Sequence, residues 1–190
     1  MNSAATDKKQ ALLRALYAHC AEHGMGKLSS VSEIARTLDI KRQLFYFYFE
    51  SLDACIQELV AQHKQLIDIA FEEVQKRELT FLGYVHYMVE NKDIYFFSMQ
   101  CVRYQSQHVG FTECLEYSLM TMDRYNNDQF ILHYELSAYP KEAMDFMYAS
   151  FREYWWTHSG SYQLWDHAKV EELTAHVDTL INTLRSDHAR

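Results

Sequence analysis

Residues 28–60 read LSSVSEIARTLDIKRQLFYFYFESLDACIQELV. Ser30 and Glu33 have the S-x-x-E spacing of a capping box, which opens a helix by satisfying two orphan amides. Val31, Ile34, Ala35 and Leu38 supply the apolar face of that short helix. Asp39-Ile40 makes a tight connection, and Lys41 opens a segment that ends in five consecutive aromatics, Phe45 to Phe49. Such a run has high β-propensity, but no partner strand or hairpin turn lies nearby. Read as a helix, Phe45 and Phe49 share one face, Leu44 and Tyr48 form a second i,i+4 pair, and Tyr46 projects elsewhere. Two short helices joined by a tight turn make a helix-turn-helix, the plan in which the second helix enters the DNA major groove.

Working outward, residues 8–23 read as an amphipathic helix with Leu12, Leu13, Leu16, Tyr17 and Cys20 on one stripe. Gly24 suits a left-handed C-cap for it. Ser51 is placed to cap a long helix from Leu52 to about Arg77, with Ile56, Leu59, Val60, His63, Leu66, Ile67, Ala70 and Val74 as its apolar track. Further helices are expected over 80–91, 94–107 and 111–125, a break at the Asn-Asn-Asp run 126–128, and a helix over 129–137. Pro140 fits the first helical position of a segment ending near His158. A Ser159-Gly160-Ser161 loop follows, then a last helix from about Trp165 to Leu184. The expected fold is all-α. An N-terminal three-helix helix-turn-helix domain (1–55) is joined by a long helix to a larger helical domain (56–190).

Composition agrees. Only 5 Gly and 1 Pro occur in 190 residues, too few for a turn-rich sandwich, barrel or dinucleotide-binding fold. The 48% apolar content excludes a mostly disordered chain. Net charge is −8, which looks wrong for a nucleic-acid binder. Its distribution matters more. Residues 1–64 carry 8 Lys/Arg and 7 Asp/Glu, whereas residues 65–190 carry 10 and 19. The N-terminus has no apolar signal core and no run is long enough for a transmembrane helix. Cys20, Cys55, Cys101 and Cys114 are scattered, with no C-x-x-C, as for free thiols in a reducing cytoplasm. Their spacing offers no support for a redox pair.

The stretch 28–60 resembles the DNA-binding domain of the tetracycline-repressor (TetR) family of bacterial regulators. Ser29-Ser30 matches the family's small-hydroxyl pair, Ile34-Ala35 its core pair, Ile40 its hydrophobe at the turn, Phe45 to Phe49 its aromatic run, and Ser51 the start of its fourth helix. The resemblance covers about 50 residues, and the rest of the chain shares only length and helical character with the family. It implies a cytoplasmic transcriptional regulator, most often a repressor, that binds a double-stranded DNA operator as a homodimer. It places DNA-facing positions at Ser32, Lys41, Arg42, Gln43, Leu44, Tyr46 and Tyr48. Their chemistry suits the role. Lys41 and Arg42 can pair with phosphates or guanine, Gln43 can read adenine edges, and the Tyr hydroxyls can donate to phosphate oxygens. Amides at the helix start near Ser30 can hold a phosphate. Three positions depart from the family pattern: Asp39 stands for the usual Gly, Leu44 for Thr, and Leu52 for Lys.

In this family the last two long helices form a four-helix dimer bundle. Here they correspond to 141–158 and 165–184, with Phe146, Met147, Phe151, Trp155, Leu173, Val177, Leu180 and Leu184 on their apolar tracks; some of these also close the core of one chain. The family's effector would bind inside the body and move the fourth helix. The Tyr, Phe and Met enrichment between 81 and 125 makes Tyr84, His86, Tyr87, Tyr95, Phe96, Met99, Tyr104 and Met120 the candidate effector residues. Residues of this kind are more often core than ligand box, but an apolar cavity with a few polar groups is the usual small-molecule site. An apolar or aromatic effector is expected. His19-Cys20-Ala21-Glu22-His23 matches H-x-x-E-H. It flanks the apolar stripe of a helix in a domain too small for a cleft, so no metal, cofactor or enzymatic activity is expected. The alternative to a DNA reader is a small-molecule-binding or protein-interaction protein on the same scaffold.

Overall fold

The computed structural model describes residues 3–188, and every regular element among them is helical. In chain order these are α1 (Ser3–His23), α2 (Val31–Thr37), α3 (Arg42–Tyr48), α4 (Leu52–Lys76), α5 (Phe81–Glu90), α6 (Lys92–Tyr104), α7 (Val109–Ser118), α8 (Arg124–His133), α9 (Lys141–His158) and α10 (His167–His188). A π-helical turn, Leu119–Asp123, leads into α8. No helix among the described residues is long and apolar enough to cross a membrane.

Local chemistry accounts for the ends. Ser30 is extended (φ −156°, ψ 153°), and its hydroxyl accepts from the Glu33 amide at 3.2 Å. The Glu33 carboxylate accepts from Ser29. At the other end of α2, Asp39 takes a left-handed conformation (φ 51°), its amide donates to the Arg36 carbonyl, and the Ile40 amide donates to the Ala35 carbonyl at 2.9 Å. That pair of bonds is the Schellman termination, here without glycine. Glu78 (φ 50°) ends α4 the same way, through Glu78 to Gln75 and Leu79 to Val74. A chain with so few glycines thus makes its left-handed caps from acidic residues. Gly24 is not the expected left-handed helical cap: its φ of 88° with ψ of 167° is a region open essentially to glycine alone. The Ser51 hydroxyl accepts from the Ala54 amide at 3.0 Å and starts α4.

The chain packs as two units. The first contains residues 1–70 and 93–119, the second 71–92 and 120–190. In this division α6 and α7 group with the N-terminal helices, and α4 continues from one unit into the other. The first unit's core includes Leu16, Ile34, Phe45, Phe49, Leu59 and Phe97, all but sealed from solvent. In the second, the Phe81 and Phe130 rings meet edge-on at 5.5 Å and Phe151 packs on both. Leu173, Val177 and Ile181 present α10's buried stripe.

Three expected boundaries need correction. Residues 126–128, read as a break, lie inside α8. Pro140 is the residue before the first helical position of α9, with ψ of 146°. The last helix starts at His167, because Trp165 turns back into the second unit's core at 2% exposure.

Candidate functional site

The aromatic run 45–49 is helical through Tyr48, and its two faces differ sharply. Phe45 and Phe49 are sealed in the first unit, with ring centroids 5.1 Å apart. Opposite them, Lys41, Arg42, Gln43 and Leu44 are exposed, Tyr46 is 52% exposed and Tyr48 is half-buried. Ser32 is exposed at the start of α2, and Ser30 is half-buried with its hydroxyl committed to the cap. The helix thus has a wide polar and aromatic outer side fixed by two buried rings.

Phe47, outside the expected set, is the most exposed aromatic here at 69%, with its ring edge-on to Tyr48 at 5.0 Å. Helical geometry could have found it: Phe47 is two residues from both buried rings, which puts it about 200° around the axis from each. An exposed apolar ring suits contact with a thymine methyl.

Elsewhere in the first unit a cleft of about 350 Å³ opens between Met25, Leu28, Leu52, Ile56 and Phe111, with Asp53 and His108 at its polar rim. His108 precedes α7, where its Nδ1 accepts from the Gly110 amide at 3.0 Å. Its Nε2 therefore carries the proton and donates to Asp53 Oδ1 at 2.7 Å. That bond ties the first turn of α4 to the start of α7.

The eight candidate effector residues are not one group. Tyr95, Phe96 and Met99 are buried in the first unit, where Tyr104 is half-buried. Tyr84, His86, Tyr87 and Met120 belong to the second. Met120 is 82% exposed and lines no interior surface. His86 sits with its Nδ1 2.9 Å from that of His167. Counting aromatic and Met residues cannot separate buried core from cavity wall, which is why the set scatters.

Within the second unit a different polar cluster forms. Asp123, the last residue of the π-helical turn, accepts from the Tyr148 hydroxyl at 2.8 Å and from Arg152 at 2.7 Å. The Tyr84 hydroxyl bonds the Asn126 side chain. Burial pushes the Tyr84 hydroxyl up to about 12, so it keeps its proton. The carbonyl oxygens of Asn126 and Asn127 are buried with no hydrogen-bond partner among the described residues. Buried acceptors of this kind are costly unless a donor meets them, and π-helical turns occur often at functional sites. The expected break at 126–128 hid these residues from sequence reading. Among the described residues no group of three or more His, Cys, Asp or Glu stands ready to hold a metal ion.

Comparison of the chain with models of known protein families, and with curated proteins, finds no match to either.

Proposed function

We propose that the protein is a sequence-specific DNA-binding regulator of the TetR type, acting as a homodimer on a double-stranded operator and released by a small-molecule effector. The outer side of α3 carries this reading. A helix-turn-helix with two rings sealed beneath it and Lys41, Arg42, Gln43, Leu44, Tyr46 and Phe47 turned outward has the surface a major groove accepts. Asp39 replaces the glycine of the family pattern, and its left-handed conformation supports the same tight turn.

In this reading the effector site lies in the second unit, at Tyr84, Asn126, Asn127, Asp123, Tyr148 and Arg152. Two unmet side-chain amide oxygens, one of them on the Asn126 that meets the protonated Tyr84 phenol, suit a ligand that pairs an apolar ring with an N–H or O–H donor. The helix α4 continues from the first unit into the second, and the Asp53–His108 bond sits on its first turn. An effector that favours one placement of α4 by its own binding energy would shift the equilibrium between operator-bound and free protein.

The test is a footprint on duplex DNA flanking the chain's own coding region. The expected result is two protected half-sites about 34 Å apart. Equal affinity for every duplex at physiological salt would overturn the proposal.

A further inference from the structure

The cleft of about 350 Å³ in the first unit has an apolar floor and a polar rim. Met25, Leu28, Ile56 and Phe111 make the floor, each of them buried, and Leu52 completes it from the start of α4. Their packing holds these side chains in place, so the floor is preformed. Small-molecule sites span about 300–1,000 Å³. This one lies at the small end and has room for a molecule of one or two rings.

The rim decides what such a molecule must carry. The Asp53 side chain is 72% exposed, and its partner among the described residues is the His108 Nε2–H at 2.7 Å. The His108 Nδ1 accepts from the Gly110 amide at 3.0 Å, so the ring holds one proton and is neutral. A glycine is needed there, because a Cβ on residue 110 would stand 3.0 Å from that nitrogen. Asp53 therefore keeps its negative charge and has its second oxygen, Oδ2, to offer. The Ser29 hydroxyl donates to the Glu33 carboxylate at 2.6 Å, which leaves it only lone pairs for a ligand. Among the described lining residues there is no Lys or Arg, and apart from the His108 proton the only side-chain N–H groups are those of Gln107. An anion would meet a carboxylate with little to oppose it. A cation would meet a carboxylate that no protein cation among the described residues neutralises.

We propose that this cleft binds a small aromatic cation, a flat body of one or two rings bearing an amidinium or primary ammonium group. The body lies on Ile56 and Phe111, and its N–H groups donate to Asp53 Oδ2. An exposed ion pair contributes little by itself. The apolar body therefore supplies most of the affinity, and Asp53 selects by charge among molecules of one shape. The occupant touches α4 at Asp53 and Ile56 and α7 at Phe111, the two helices whose starts the Asp53–His108 bond already joins.

The site shares no residue with the cluster at Tyr84 and Asn126, and its test does not involve DNA. The full-length chain, with Met and Ile methyl groups labelled, is titrated with 2-naphthamidine and followed by NMR. Two molecules of the same shape serve as controls, the neutral 2-naphthamide and the anionic 2-naphthoate. The expected result is a saturable shift of the Met25 and Ile56 methyl signals by the amidine, with Kd below about 1 mM. Both controls should bind about fivefold more weakly or worse. Asp53→Asn keeps an oxygen for the His108 proton and removes the charge, so amidine and amide should then bind alike. The parent chain supplies the decisive comparison even where that variant does not fold. No saturable shift at Met25 and Ile56, shifts confined to other methyl groups, or a parent that binds amide or naphthoate as tightly as amidine would overturn the proposal. So would a folded Asp53→Asn chain that keeps the full preference for the cation.

Discussion

Within α3, neighbouring residues have opposite tasks. Phe45 is fully buried and Tyr46 is 52% exposed, so the backbone turn between them separates core from surface. Arg42 is exposed one turn before Tyr46, and a guanidinium there can meet a phosphate or the two acceptors of a guanine. Replacing it should therefore affect binding without touching the core. Arg42→Ala is expected to weaken operator binding, and to lower the slope of log affinity against log salt by about one if the contact is a phosphate. Its unfolding free energy should stay within about 0.5 kcal/mol of the parent, as for other surface substitutions. Anisotropy titrations at several salt concentrations, beside a urea melt, measure both. An unchanged affinity with an unchanged slope would remove Arg42 from the interface.

Among the elements, the turn between α2 and α3 decides how the exposed face is presented. Its geometry rests on Asp39 in the left-handed region, where a Cβ costs roughly 1–2 kcal/mol and a short polar side chain recovers part of the loss. Asp39→Ala should lower stability by about 1 kcal/mol, whereas Asp39→Gly should be at least as stable as the parent. Urea midpoints for the three chains decide the point; an alanine variant as stable as the glycine one would mean that the left-handed residue does not control the turn. Elements with a clear apolar period were legible in advance. The long helix read as Leu52 to about Arg77 is Leu52–Lys76, and the one read as 141–158 is Lys141–His158. The segment around 119–133 was not. Asparagine disfavours helix interiors by well under 1 kcal/mol, and the burial of Phe130 outweighs that preference. The outer face of α3 was legible because a period of 3.6 assigns each residue a direction. The Asp123–Tyr148–Arg152 cluster was not, because it depends on which helices pack together, and spacing along the chain carries no such information.

At the scale of the whole molecule, charge and association are linked. The acid excess lies after residue 64, so in the proposed role one chain would offer DNA a single short helix with few cations. Two copies related by a two-fold axis would double that surface and match a palindromic operator. The expected seam is α9 with α10, but most of its apolar track is already occupied. Met147, Phe151, Trp155, Leu173 and Val177 are each 9% exposed or less and close the second unit's own core. Phe146 at 67%, Leu180 at 44% and the half-buried Leu184 remain outside it, and these are the residues left for a partner. In an isologous interface a carboxylate on the seam enters from both sides, and two like charges meet or lie close. Phe146→Glu should therefore turn a particle of twice 22.6 kDa into one of 22.6 kDa at micromolar concentration. Helicity should be unchanged, because the ring it replaces supports little of the chain's own core. Operator affinity should fall with the dimer. Light scattering, circular dichroism and the anisotropy titration read the three quantities on one sample. A parent chain that is monomeric at that concentration would sink the dimer outright, and a Phe146→Glu chain that stays dimeric would move the seam away from α9.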